Sequence, residues 1–156
     1  MLKIKIICLG KLKESYWREA EAEYLKRLGP FAKIEIIELS EISFQKNDDP
    51  EKIKKQEGES ILKHIKDNEF VIALDERGKE KGSEELAHFL EKTGQQGQTI
   101  TFIIGGPLGL SGKVLSHANL QLSFSRLTFT HQMIRVILLE QIYRAGNILM
   151  GKVYHY

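Results

Sequence analysis

At 156 residues the chain has the length of one domain and can bury an apolar core without disulfide or metal staples. With 42% hydrophobic and 28% charged residues it has the composition of a folded globular protein, not of a disordered one. The one cysteine, Cys8, excludes an intrachain disulfide, and its apolar neighbours mark it as a small core filler. The apolar run from Ile4 to Leu9 is too short for a cleavable signal and is broken by Lys5. No run approaches the ~18 apolar residues of a membrane span, so a cytoplasmic protein is expected. Net charge is only +2, but it is unevenly spread. Residues 1–33 carry eight Lys/Arg against four Asp/Glu, residues 34–109 ten against sixteen, and residues 110–156 five against one. If the two basic ends meet in space they form a face able to meet phosphates; the alternative is ordinary scatter of surface charge.

Leu2 to Leu9 reads as a strand, followed by a turn at Gly10-Lys11. Apolar residues at Trp17, Ala20, Tyr24 and Leu28 give helical spacing from Glu14 to Arg27, and Gly29-Pro30 stops that helix. Lys33 to Leu39 is a second strand. The polar stretch 40–50 ends in Asn47-Asp48-Asp49-Pro50, which leads into a helix running to about Ile65. Phe70 to Leu74 is a third strand, and Asp75 to Gly82 a charged turn. Ser83 is a suitable N-cap for a helix ending near Thr93 and Gly94. Thr99 to Ile104 is a fourth strand, Gly105 to Gly112 a glycine-rich loop, and a short helix reaches about Ala118. Leu120 to Phe124 is a fifth strand, Ser125 to Thr130 a loop, and His131 to Met150 a long final helix. Strands alternating with helices predict an α/β fold, a mostly parallel sheet with helices on both faces. No linker divides the chain. Met133, Ile134, Val136, Ile137, Leu138, Leu139, Ile142 and Tyr143 leave the last helix little polar surface. The sheet can cover one side of such a helix, and a second subunit is the natural cover for the other.

Three segments carry chemistry. In Ile103-Ile104-Gly105-Gly106-Pro107-Leu108-Gly109-Leu110 a glycine loop follows a strand and precedes a helix, where open α/β sheets place their ligand crevice. It fails the G-x-G-x-x-G pattern at Pro107. It fails the P-loop pattern at Pro107 and Val114, so phosphate cradling is disfavoured. In the second, Leu122 to Arg135, a loop leaves a strand and enters a helix. Its backbone can meet an adenine edge, and Phe124, Leu127 and Phe129 can wall a pocket. His131 and Arg135, four apart, share a helix face. Either can be functional, or Arg135 a structural ion pair and His131 a partly buried hydrogen-bonding residue. The third is the tail Val153-Tyr154-His155-Tyr156, either frayed or able to stack on a base and hydrogen-bond to it.

Taken together, Gly-Gly-Pro-Leu-Gly-Leu, Leu-Ser-Phe-Ser-Arg-Leu-Thr-Phe, His-Gln-Met-Ile-Arg-Val, Glu140-Gln141-Ile142-Tyr143-Arg144-Ala145 and Tyr154-His155 resemble the RlmH family. So do Gly10-Lys11-Leu12-Lys13-Glu14, Tyr16-Trp17 and Tyr24-Leu25-Lys26-Arg27-Leu28, so that the resemblance covers essentially the whole chain. It implies one SPOUT domain over residues 1–156, with a C-terminal trefoil knot that no spacing could have revealed. It implies a homodimer that binds S-adenosylmethionine and methylates N3 of a pseudouridine in large-subunit ribosomal RNA, in the ribosome. The cofactor contacts it carries over are Leu74, Gly105, Phe124, Ser125, Arg126, Leu127, Thr128 and Phe129. Methyl transfer from a sulfonium needs no metal, only in-line placement and loss of the N3 proton. His155 and His131 are the candidate proton acceptors, Tyr154 a stacking partner, and Arg135 a stabiliser of charge on the base carbonyls. The rival reading is a non-catalytic ribosome-binding module of the same fold. Three positions depart from the family. Thr130 replaces a usual proline but is itself a fair N-cap, so the helix start should survive. Gly146 replaces a bulkier residue at a cost of about 1 kcal/mol of helix propensity. Val153 replaces a proline and leaves the tail less stiff.

Overall fold

The protein is described here by a computed structural model, for residues 1–152. In chain order the elements are β1 (Leu2–Leu9), α1 (Ser15–Leu28), β2 (Ala32–Leu39), α2 (Pro50–Leu62), β3 (Glu69–Glu80), α3 (Ser83–Gln95), β4 (Thr99–Ile104), α4 (Gly112–His117), β5 (Leu120–Ser123) and α5 (His131–Leu149). The five strands form one sheet in the order β2-β1-β4-β3-β5, with every pairing parallel. The register aligns Ile36, Ile6, Phe102, Ile72 and Leu120 in a row across it. Parallel strands are buried on both faces, which is why β1 and β4 read as near-continuous apolar runs.

One face packs Ile4, Ile6, Phe102 and Ile72 against Leu28 of α1, Leu86 and Leu90 of α3, and Leu138, Leu139 and Ile142 of α5. The other packs Ile7, Leu9, Val71, Ala73 and Ile103 against Ile61 of α2 and Val114 of α4. On that second face Lys5 is buried. Its ammonium donates to the His64 carbonyl and to the Glu69 carboxylate, which also accepts from Thr101 Oγ1 at 2.8 Å. Cys8 is fully buried, and burial pushes its thiol up to about 12, so it fills the core and offers no thiolate.

Three local expectations change. The segment from Asp75 to Glu80 is not a turn: β3 continues through it, with a register shift between Leu74 and Lys79, both of which pair with Leu122. A side chain at Gly78 would stand 2.7 Å from the Gln121 backbone, so the missing Cβ permits this excursion over β5. Gly82 rather than Ser83 caps α3: the Glu85 carboxylate accepts from the Gly82 amide at 2.8 Å, while Ser83 Oγ donates to Gln141 Oε1. The apolar surface of α5 is covered in part by α1 and α3, which flank it, and not by the sheet alone. Met133 remains exposed and Ile134, Val136 and Ile137 half-buried.

Two of the departures are accommodated. Thr130 Oγ1 accepts from the Met133 amide and caps α5. The Phe31 ring lies over Gly146, 2.7 Å from where a Cβ would stand, so a bulkier residue is replaced by an aromatic ring from the β2 side.

Candidate active site

The middle of β3, where its register shifts, and the carboxyl ends of β4 and β5 open into a cleft of about 660 Å³, within the range of small-molecule sites. Ligand crevices of open α/β sheets lie at this end because the loops leaving neighbouring strands diverge there. Two loops form its walls. In the first, residues 105–110, the Gly109 amide donates to the Gly106 carbonyl at 3.0 Å, and Gly109 has φ of +82°. A left-handed residue closes this tight turn, which only glycine adopts at no steric cost. A Cβ on Gly105 would lie 3.0 Å from Leu110 Cδ2, so the backbone itself forms the wall at that point.

The second wall is the segment from Phe124 to Thr130. Ser123 Oγ donates to the carbonyls of Glu76 and Ser125, at 3.1 and 2.9 Å. The Leu127 amide donates to Ser125 Oγ at 3.0 Å. These bonds tie the loop to the β3 extension. Leu127 is 73% and Phe129 39% exposed, so apolar groups face the opening.

Of the residues carried over as cofactor contacts, Leu74, Gly105, Phe124, Ser125, Leu127, Thr128 and Phe129 line the cleft. Arg126, in the same loop, is exposed and does not line it. His131 lines it and Arg135 does not. The two share a face, as their spacing requires, and both meet the Gly10 turn. The imidazole side chain is 12% exposed, with Nε2 3.9 Å from a Glu41 carboxylate oxygen and Nδ1 buried without a hydrogen-bond partner. Burial holds this imidazole below its ordinary pKa; Glu41 opposes that, and Arg135 and Lys13 reinforce it. His131 is therefore a neutral imidazole at the cleft wall.

Arg135 is 0% exposed. Its Nη1 donates to Glu38 at 2.7 Å and Glu21 at 3.2 Å, and its Nη2 donates to the Gly10 carbonyl at 3.0 Å. The guanidinium thus fastens α5 to α1, β2 and the turn after β1. His155 and Tyr154 lie outside the described residues.

Sequence reasoning missed Asp75, Glu76 and Gln132, which also line the cleft. The signal for the first two was their place directly after Leu74, at a strand's carboxyl end. It missed Glu41 as well, which nothing local could have joined to His131. No Lys or Arg is among the lining residues, whereas Glu76 and Asp75 are, the latter paired with Arg77 at 3.4 Å. That suits a ligand with positive charge and apolar surface, not one carrying phosphates. Among the described residues no group of His, Cys, Asp and Glu is placed to hold a metal ion, and no helix is long and apolar enough to cross a membrane.

A parallel five-stranded sheet with its cleft walled by a glycine loop and by the segment entering the last helix defines the class. The chain belongs to the family described as "Predicted SPOUT methyltransferase", whose model matches residues 2–155. Its similarity to individual proteins is also end to end. It is 51% identical to the ribosomal RNA large subunit methyltransferase H of Carboxydothermus hydrogenoformans, over 99% of both chains. It is 49% identical to the protein of that name from Pelotomaculum thermopropionicum, over 100% of both, and 50% identical to the one from Clostridium botulinum, over 99% of both.

Proposed function

We propose that the chain, as one SPOUT domain spanning residues 1–156, transfers a methyl group from S-adenosylmethionine to N3 of a pseudouridine in large-subunit ribosomal RNA. The observation that carries this reading is the character of the cleft. It has a backbone wall at Gly105, apolar residues from Leu74 to Phe129, acidic residues at Asp75 and Glu76, and no lining Lys or Arg. A sulfonium nucleoside is cationic and lacks phosphates, so it fits where a nucleotide phosphate does not. The names of the relatives supply the substrate class.

Bound there, S-adenosylmethionine supplies an electrophilic methyl group whose departure leaves the S–C electron pair on sulfur. The protein's part is placement and proton removal. Leu74, Phe124, Leu127 and Phe129 enclose the apolar parts of the ligand, while loop amides are available to a base edge. N3 must give up its proton as the N–C bond forms. A neutral imidazole can accept it, and the two we assign are His155 and His131, with Tyr154 stacking on the target base. Arg135, its Nη groups held by Glu21, Glu38 and the Gly10 carbonyl, positions the start of α5 beside the cleft on this reading, and its charge is the one assigned to the base carbonyls.

The active form on this reading is a cytoplasmic homodimer, its exposed and half-buried residues at the start of α5 meeting a second copy, with the C-terminal region threaded as a trefoil knot. Support for the dimer is the exposure of Phe129 and Met133 about the start of α5. Sedimentation should give twice the mass of one chain at micromolar concentration, and a stable monomer would refute it.

Mass spectrometry of ribosomal RNA tests the reading directly. A strain lacking the gene should lack one methyl group on a large-subunit pseudouridine, and complementation should restore it. Unaltered RNA, together with ribosome binding by the purified protein, would favour a non-catalytic module.

A further inference from the structure

Behind the glycine loop stands α2, and on it Glu57 is 4% exposed. Its Oε2 is shielded from solvent and has no hydrogen-bond partner. The Ile42 backbone and the Glu41 carboxylate are its polar neighbours. A Cβ built on Gly106 would lie 3.3 Å from that Oε2, and Gly106 lines the cleft. A buried carboxylate oxygen therefore stands directly behind a wall that has no side chain. Burial pushes its carboxyl up, the Ile42 amide pulls it back, and Glu41 adds to the rise. An unpaired buried carboxylate is costly unless it is matched by positive charge nearby. No residue lining the cleft supplies that charge, since Asp75 and Glu76 are themselves acidic.

We infer that Glu57 determines specificity for the charge of the occupant, making the cleft favour a cationic ligand over its neutral counterpart. The inference rests on the cofactor reading given above. On that reading the favoured ligand is S-adenosylmethionine, with its sulfonium, and the disfavoured one is S-adenosylhomocysteine, the thioether left after transfer. The two differ by one methyl group and one positive charge, and share every other polar group. Glu57 thus strengthens binding before transfer and loosens the product after it, at the step that limits many enzymes.

Calorimetry of both ligands on the wild-type chain and on Glu57→Gln tests this. The amide is isosteric, so packing is kept while charge is lost. The wild-type chain should bind S-adenosylmethionine more tightly than S-adenosylhomocysteine. In Glu57→Gln the ratio of the two Kd values should shrink roughly fivefold or more, about 1 kcal/mol at about 1.4 kcal/mol per factor of ten. Glu57→Asp, which keeps the charge, should keep the ratio. Should the amide variant not fold, Glu57→Leu gives the same readout with an apolar replacement. An unchanged ratio, or equal weakening of both ligands, would overturn the role of Glu57 while leaving the cofactor reading intact. A wild-type chain that binds neither ligand would overturn the cofactor reading itself.

Discussion

Gly105→Val should weaken S-adenosylmethionine binding while leaving a folded protein. Even a single Cβ at this position meets Leu110 Cδ2 at 3.0 Å, Leu110 Cγ at 3.1 Å and the Gly109 carbonyl carbon at 3.2 Å. Valine adds two more carbons beyond that Cβ. Leu110 is buried in the smaller apolar cluster and also lines the cleft, so its side chain or the loop must move toward the cleft, the open side. Overpacking of this kind costs about 1–3 kcal/mol. If the cofactor requires the loop to return, that cost falls on binding as about a 5- to 140-fold weaker Kd, at about 1.4 kcal/mol per factor of ten. If it falls on folding, it lowers Tm by roughly 2–4 °C per kcal/mol in a chain of this size. Both are tolerable against a typical stability of about 5–15 kcal/mol. Calorimetry with S-adenosylmethionine, beside thermal melts followed by circular dichroism, separates the two. A folded Gly105→Val protein with wild-type affinity would refute the placement of the cofactor against this loop.

Gly146→Ala should destabilise the protein by up to about 2 kcal/mol net, the clash with Phe31 costing about 1–3 kcal/mol against a gain of about 1 kcal/mol in helix propensity; a urea midpoint above wild type would contradict that. His131 should make stability fall on acidification. The unfolded chain takes up a proton near pH 6.5 that the folded imidazole, held lower, does not, so unfolding becomes easier from about pH 6.5 downward. Urea titrations at pH 7.5 and 5.5 should show this loss reduced in His131→Gln, and an identical loss in the variant would exclude His131 as its source. Truncation after Lys152 should abolish methyl transfer yet leave cofactor affinity nearly unchanged. His155→Ala alone should lower turnover by roughly 10²-fold or more, the low end for a general base. Normal turnover with an unchanged pH–rate profile would exclude His155 and leave His131 as the leading candidate.

What the sequence made legible follows from which forces are local. β1 and β4 announced themselves because a doubly covered parallel strand must be apolar along its length, and Ile4–Leu9 and Thr99–Ile104 are. The helices declared themselves by spacing and by end signals such as Pro50 and Gly29. The β3 extension stayed hidden because Asp75 to Glu80 is held by backbone pairing to β5, while its charged side chains read as a turn. Residues 124, 125 and 127–129, named through resemblance, line the cleft, as does the glycine loop, named from its place between a strand and a helix. Glu41 and Glu57 could not be found either way. Each acquires its place from a partner far along the chain, Glu41 from His131 and Glu57 from Gly106, and no spacing rule reaches that distance. Arg135 was undecidable for a related reason. Its spacing from His131 fixed the helix face, but not that Glu21 and Glu38 would be waiting opposite it.

The charge pattern shows how far a count along the chain can be carried into space. The basic ends do come together, since α5 packs against α1. Their combined field is nonetheless smaller than the formal charges imply. Arg135 is buried between two carboxylates, Arg27 pairs with Glu23 at 2.7 Å, and Arg144 pairs with Glu140. Each such pair cancels most of its charge at the distance of a Debye length, about 8 Å at physiological salt. The acidic middle of the chain is likewise not uniform surface. Asp75 and Glu76 are drawn to the cleft, and Glu57 stands behind its glycine wall. The same segment-level asymmetry thus divides into two different physical roles. Basic charge near the ends in part fastens helices to one another and to the sheet, while from the acidic middle Glu76 and the Arg77-paired Asp75 line the cleft. A face that meets RNA phosphates has to be counted after those pairs are removed, not from the sequence totals.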